Sequence, residues 1–265
     1  MIIDCFTFLN ELDLLEGRLE YLYDTVDYFV IVESNTTFTG KHKELNFLAN
    51  RARYNKYADK IFYYPFAPEE DVPEFNEKIE KCDFGTSPWQ VEFKQRNYIK
   101  NALKFFDPNA IVLMGDLDEI PSKESINLAK ENLGTAADAF ALSQDMFFYN
   151  FRQKQSYPCK ATVITTNKFL QENGAQWLRD MRWHIPFIFN GGWHLTYWGS
   201  PDMISNKIKS FAHQELNQEK FTDQNLISQR IKSGVDPFEG QPLITVNPDS
   251  ISTEIYTIFN KYGSC

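Results

Sequence analysis

Residues 111–121 read IVLMGDLDEIP. Four apolar residues and a glycine lead directly into Asp116, Leu117, Asp118 and Glu119, and Pro121 stops the run. The apolar part has the length of a buried strand, so three carboxylates gather at a strand end. Each is costly to desolvate and the group repels itself, so positive charge has to stand with it. Ligands of open parallel sheets sit beyond the C-terminal ends of the strands. Asp116 and Asp118 are two residues apart and share one side if the chain stays extended. Two carboxylates on one side of a crevice suit a hard divalent cation, Mg²⁺ or Mn²⁺, that also takes oxygens from a phosphate. The competing reading is a solvated turn in which Asp118 or Glu119 favours the start of the following helix.

Upstream of this stretch the chain alternates strand-like and helix-like segments. Residues 1–9 read as a buried strand, and Leu12, Leu15, Leu19 and Leu22 follow at helical spacing. Strands are expected at 27–34 and 60–66, with a helix over about 45–58 between them. A polar stretch at 67–88 reads as a long loop, and 88–106 as a helix opened by Pro88. Repeated strand–helix order implies an α/β fold with a mostly parallel, Rossmann-like sheet covered by helices on both faces. After Pro121 the pattern shifts to a smaller, more antiparallel extension. A helix is expected at 122–132, strand pieces at 136–143, 145–152 and 160–166, and a helix at 167–180. An aromatic strand-like run fills 182–198, with helices at 200–214 and 222–233. No repeat or linker interrupts the chain, so the expectation is one domain over 1–265, with 1–121 as its nucleotide-binding half.

The net charge of −9 over 265 residues excludes a general nucleic-acid binder, which carries a basic face. No run of about 18 apolar residues is present, so no transmembrane helix is expected. The four cysteines Cys5, Cys82, Cys159 and Cys265 are scattered without a CxxC pair. They read as free thiols, and with an N-terminus that lacks the pattern of a signal peptide they predict a cytoplasmic protein.

Four stretches together resemble one known family. They are DCFTFLNELDLLEGRLEYLYDTVDYFVIVESNTTFTGK (4–41), PWQVEFKQRNYI (88–99), GDLDEIP (115–121) and GGWHLTYWGSPDMISNKIKSFAHQE (191–215). In order, they resemble glycosyltransferase family 17, which holds the bisecting β-1,4-mannosyl-glycoprotein N-acetylglucosaminyltransferases and shorter bacterial and viral relatives. The resemblance implies a GT-A fold, a UDP-sugar donor such as UDP-N-acetylglucosamine, a divalent metal, inversion at the anomeric carbon and a glycan acceptor. It does not carry over a Golgi location or the identity of the acceptor.

On this resemblance Asp118 is the direct metal ligand, with Asp116 on the metal through water or on the ribose and Glu119 orienting both. His194, after Gly191 and Gly192, and His213 are candidates for a further metal ligand. The general base expected at a helix start after the glycine-rich strand is Asp202, with Glu215 and Asp145 behind it. Asn10, Glu11, Glu33 and Ser34 stand where uracil and ribose contacts occur in this fold, and Arg96 and Asn97 precede the DxD strand. Lys41 and Lys43 are candidates to cover the diphosphate, and at most one of Trp193, Tyr197 and Trp198 is expected on the acceptor. Two rival readings are a metal-dependent nucleotidyltransferase or phosphoesterase and a non-catalytic sugar-binding module.

Overall fold

The computed structural model describes residues 1–68 and 87–264. Most of the loop expected at 67–88, with Cys82 and Cys265, lies outside the described residues. The first half runs β1 (Ile2–Phe8), α1 (Leu12–Leu22), β2 (Tyr28–Ser34), α2 (Asn46–Ala49), β3 (Ile61–Phe66), α3 (Ser87–Leu103) and β4 (Ile111–Asp116). These four strands are all parallel, in the order β4-β1-β2-β3. Thr7 is opposite Asp116 and Phe8 opposite Glu33, so the strands end level with one another.

Side chains of β1 alternate between two apolar layers, as a strand covered on both faces requires. Ile2, Phe6 and Phe8 join the layer that holds α1, whereas Ile3 and Cys5 join the layer under α3. The helix expected over 45–58 is only α2, followed by a 3₁₀ segment Arg51–Tyr57. Asn50 lies at the break and its amide donates to the Asn46 carbonyl, the local competition that makes asparagine a poor helix-interior residue.

The second half continues with β5 (Glu119–Pro121), α4 (Lys123–Asn132), β6 (Ala139–Phe148), β7 (Gln153–Lys154) and β8 (Cys159–Thr166). Then come α5 (Asn167–Asn173), α6 (Ala175–Met181), β9 (Phe187–Ile188), β10 (Gly192–Thr196) and α7 (Pro201–Ser210). The chain ends with α8 (Glu219–Thr222), α9 (Gln224–Ser233), β11 (Ile244–Thr245) and α10 (Thr253–Phe259). β8 extends the parallel strands by pairing antiparallel with β4 on one side and β6 on the other. The result is a mixed α/β sheet with a parallel first half and the expected antiparallel extension.

The two strand pieces expected at 136–143 and 145–152 are one strand, β6, which ends where Tyr149 takes φ 66°. The helix expected at 167–180 divides at Gly174, whose φ of 94° takes the backbone out of helical space. α10 was not anticipated, although Ile255, Ile258 and Phe259 are buried at helical spacing and pack with α1. No helix among the described residues is long and apolar enough to cross a membrane.

Candidate active site

The acidic stretch keeps its place through a buried cation from α1. Arg18 is fully buried, and its Nε and Nη2 bind the Asp4 carboxylate at 2.8 and 2.7 Å. Its Nη1 donates to the carbonyls of Asp116, Leu117 and Glu119 at 2.9, 2.9 and 2.7 Å. One guanidinium therefore gathers three carbonyls of the acidic turn that need donors once buried. Arg18 lies on the apolar side of α1 beside Leu14, Leu15, Leu19 and Leu22. A charge among the leucines of the apolar face is the signal in the sequence that marks Arg18.

Glu119 is buried and folds back, its Oε2 accepting from the Asp116 backbone N–H at 3.1 Å. Only glycine fits at 115, because a Cβ there would come within 2.8 Å of that Oε2 and 2.7 Å of Thr162 Oγ1. Arg179 of α6 bridges the acids, 2.6 Å from Glu119 Oε1 and 2.6 Å from Asp116 Oδ2. Arg96 approaches Asp116 Oδ1 at 3.3 Å and also binds Glu92 at 2.6 Å. Burial pushes the Asp116 carboxyl up, but the Arg179 and Arg96 charges outweigh it and hold it down at about 2.

Asp118 has different partners. Lys207 of α7 stands 2.7 Å from its Oδ2, and His194 Nε2 stands 3.4 Å from its Oδ1. Against burial, these two groups hold the Asp118 carboxyl well below the usual carboxylate range. In return Asp118 overcomes the effect of burial on His194 and raises its pKa. Lys207 is also 3.4 Å from Glu11. The other ring nitrogen of His194, Nδ1, is 3.5 Å from Cys159 Sγ.

These groups line a cleft of about 520 Å³ at the ends of β1 and β4. Arg96, Arg179, Arg182 and Lys207 give it positive charge; Glu11, Glu92, Asp116, Asp118 and Asp180 balance it. Burial and the neighbouring Arg179 bring the Arg182 guanidinium down to about 10. Trp89, Phe93 and Phe211 add aromatic wall.

Asp118 and His194 are a pair in this cleft with metal-ligand chemistry. Asp118 Oδ1 and His194 Nε2 lie as far apart as two adjacent ligands on one ion, about 3 Å for bonds near 2.1 Å. Cys159 contacts the second nitrogen of the ring, where a ligating histidine commonly has an orienting partner. No group of three or more His, Cys, Asp or Glu that could hold a metal occurs among the described residues. Asp118 and His194 are thus the two groups whose spacing fits one ion. Both oxygens of the Asp116 carboxylate already face arginines, Arg96 and Arg179.

Several sequence candidates lie elsewhere. Asp202 is exposed and accepts from Asn206 and Gln224, outside the cleft lining, because it sits on the outer side of the first turn of α7. Glu215 is exposed and bound to His213 at 2.6 Å, and Asp145 is bound to Lys154 at 2.9 Å; neither lines the cleft. His213 does line it, but its ring lies edge-on to Trp89 and not at Asp118. Glu33 is fully buried and accepts from Lys43, the Asn46 and Phe47 backbone N–H groups and Tyr63, so it anchors the start of α2. Lys43 is accordingly occupied. Asn97 is buried and accepts from the Gln176 backbone at the start of α6. Ser34 binds Thr36, and exposed Asn10 is outside the lining, whereas Glu11 and Arg96 are in it. Lys41 is exposed, and no contact of its side chain places it at the cleft.

The glycine pair abuts protein and lies outside the cleft lining. A Cβ at Gly192 would lie 2.1 Å from the Ile120 carbonyl, and one at Gly191 would lie 2.7 Å from Leu142 Cβ. The glycines let β10 close against β5 and β6, which is what delivers His194 to Asp118. Of the three aromatics, Trp193 packs edge-on to Tyr21 and Trp198 donates to the Phe259 carbonyl in the core. Tyr197 alone lines the cleft, with φ 50°, a left-handed backbone that costs a bulky residue about 1–3 kcal/mol.

The sequence model of glycosyltransferase family 17 matches residues 1–245. The chain belongs to glycosyltransferase family 17. A relative in this respect is the β-1,4-mannosyl-glycoprotein 4-β-N-acetylglucosaminyltransferase of Rattus norvegicus, 22% identical over 272 aligned residues. The match takes in 88% of this chain and 47% of the rat protein, so the family 17 chain spans about half the length of that relative. Among solved structures it is similar to the galactosyltransferase LgtC in complex with donor and acceptor sugar analogs. That likeness has 10% identity and a TM-score of 0.38, and covers 82% of this chain and 84% of LgtC. The 2-C-methyl-D-erythritol 4-phosphate cytidylyltransferase of Francisella tularensis matches at 13% identity and TM-score 0.38, over 71% of this chain and 89% of its own. Likenesses this distant carry nothing about activity.

Proposed function

We propose that this family 17 protein transfers a sugar from a nucleotide-sugar donor to a glycan hydroxyl, with inversion and with help from a divalent cation. The donor best matching the family is UDP-N-acetylglucosamine, and the linkage best matching the rat relative is β-1,4 to mannose. One observation carries the reading: the carboxylates at the end of β4 face a cleft ringed by Arg96, Arg179 and Lys207. Such a ring suits a diphosphate, which needs several cations in a sheltered site.

In this reading Arg96 and Arg179 hold Asp116 in place while presenting charge to the phosphates. Asp118 and His194 would hold Mn²⁺ or Mg²⁺, which would supply charge neutralisation at the leaving diphosphate. Glu11, 3.4 Å from Lys207, is a second acid for that ammonium when an ion takes Asp118. The acceptor oxygen attacks the anomeric carbon as the bond from that carbon to the diphosphate oxygen breaks and its electron pair leaves with the nucleoside diphosphate. The hydroxyl proton passes to a base on the face opposite the leaving group. The acids that line the cleft apart from the β4 pair are Glu11, Glu92 and Asp180, and burial raises the Asp180 carboxyl.

The test is a panel of UDP- and GDP-sugars with Mn²⁺, read as release of the nucleoside diphosphate. Release from UDP-N-acetylglucosamine is the expected result. Release of pyrophosphate from a nucleoside triphosphate would favour a nucleotidyltransferase, and binding of a donor without any turnover would favour a sugar-binding module.

A further inference from the structure

A second cavity, of about 930 Å³, shares Thr196 and Tyr197 with the carboxylate cleft. Its size falls in the range of about 300–1,000 Å³ usual for small-molecule sites. The two cavities differ in chemistry. The cleft carries four fixed cations, whereas Lys220 is the one cation among the described residues of the second cavity, opposed by Asp236 and Glu239. Asp236 is occupied in the wall itself: its carboxylate accepts the backbone N–H groups of Phe238, Glu239 and Gln241 at 2.7, 2.8 and 2.6 Å. What remains is aromatic and amide. Tyr157 is 63% exposed at the surface of this cavity, with Phe221, Phe238, Gln155 and Gln241 around it.

The wall between the cavities is rigid. Tyr197 has the left-handed backbone noted above, and its ring packs edge-on to Phe238 at 5.4 Å and flat against Phe148 at 6.2 Å. A left-handed aromatic residue persists only where its surroundings fix it. Lys207, the partner of Asp118 in the cleft, lies 6.0 Å from the same ring, so Tyr197 has the ionic compartment on one side and lines the neutral one as well.

We propose that the second cavity is the acceptor subsite and takes a neutral oligosaccharide, whose end reaches the donor cleft past Thr196 and Tyr197. This rests on the proposed function, because an acceptor site has meaning only beside a donor site. Pyranose rings present apolar C–H faces and a rim of hydroxyls, which aromatic rings and glutamine amides respectively complement. A phosphorylated or otherwise anionic ligand does not suit walls with this balance of charge.

The test is saturation-transfer NMR with mannotriose, N,N′,N″-triacetylchitotriose and lactose, on the full chain and on Tyr157→Ala and Gln241→Ala. Both positions are exposed, so the variants fold. At least one saccharide is expected to bind, and Tyr157→Ala to weaken it about fivefold or more, the worth of one stacked ring. Silence from every saccharide, or binding that neither variant weakens, overturns the inference. A parallel titration with UDP and Mn²⁺ separates the two failures. UDP bound with all saccharides silent rejects this subsite alone; UDP unbound as well takes the donor reading with it.

Discussion

Arg18 reaches from the middle of α1 to the carbonyl oxygen of Glu119, 101 residues away in sequence, at 2.7 Å. Its other end is locked to Asp4 on β1. The first helix and first strand therefore fix the geometry of the acidic turn, although neither contributes a carboxylate to it.

Replacing Arg18 by Met should destabilise the protein by about 3–5 kcal/mol, because it leaves Asp4 charged and buried without a partner. Urea unfolding would show the loss. Combining it with Asp4→Leu should restore much of the stability but not nucleotide binding, since the turn still lacks the Arg18 donor that its three carbonyls share.

Lys207→Met should strengthen Mn²⁺ binding in the absence of nucleotide by about tenfold or more, equivalent to about 1.4 kcal/mol. The reason is that Lys207 competes with any cation for Asp118. Mn²⁺ titration followed by electron paramagnetic resonance measures this. Unchanged or weaker affinity would remove Asp118 from the metal site.

Gly115→Ala should cost about 1–3 kcal/mol through overpacking, since the methyl group meets both Glu119 and Thr162. Displacing Glu119 also removes one of the two acids that orient Arg179, so UDP affinity should fall with the melting temperature. A variant with full stability and full UDP affinity would show that Glu119 has no positioning role.

Asp202→Asn should leave turnover within about twofold of the parent, because its carboxylate contacts Asn206 and Gln224 at the surface. Removing a general base costs about 10²-fold or more. A loss of that size at constant donor affinity would return Asp202 to the site.

The metal-free protein should lose stability as pH falls from about 4 toward 2. The Asp116 carboxyl is held at about 2, below the ordinary value of 3.8, so its contribution is complete above the ordinary value and disappears on protonation in the folded state. Thermal melts across that range would show the decline, and a flat profile would contradict the ion pairs assigned to Asp116.

The sequence by itself determined the parallel half of the sheet and the acidic strand end. Both are local: apolar runs of strand length, helical spacing in 12–22 and the adjacency of Asp116 to Asp118 need no distant partner to be recognised. Only the tertiary structure decided which cations and which histidine stand against those acids. Arg18, Arg179 and Lys207 come from three helices scattered over the chain, and as single residues in helical segments they look like any solvated charge. The same holds for the candidates that moved away. Asp202, Glu33 and Asn97 occupy suitable places in the strand–helix order. A helix face or a buried backbone N–H then takes up their side chains, and that orientation is set by packing across elements, which no local pattern encodes.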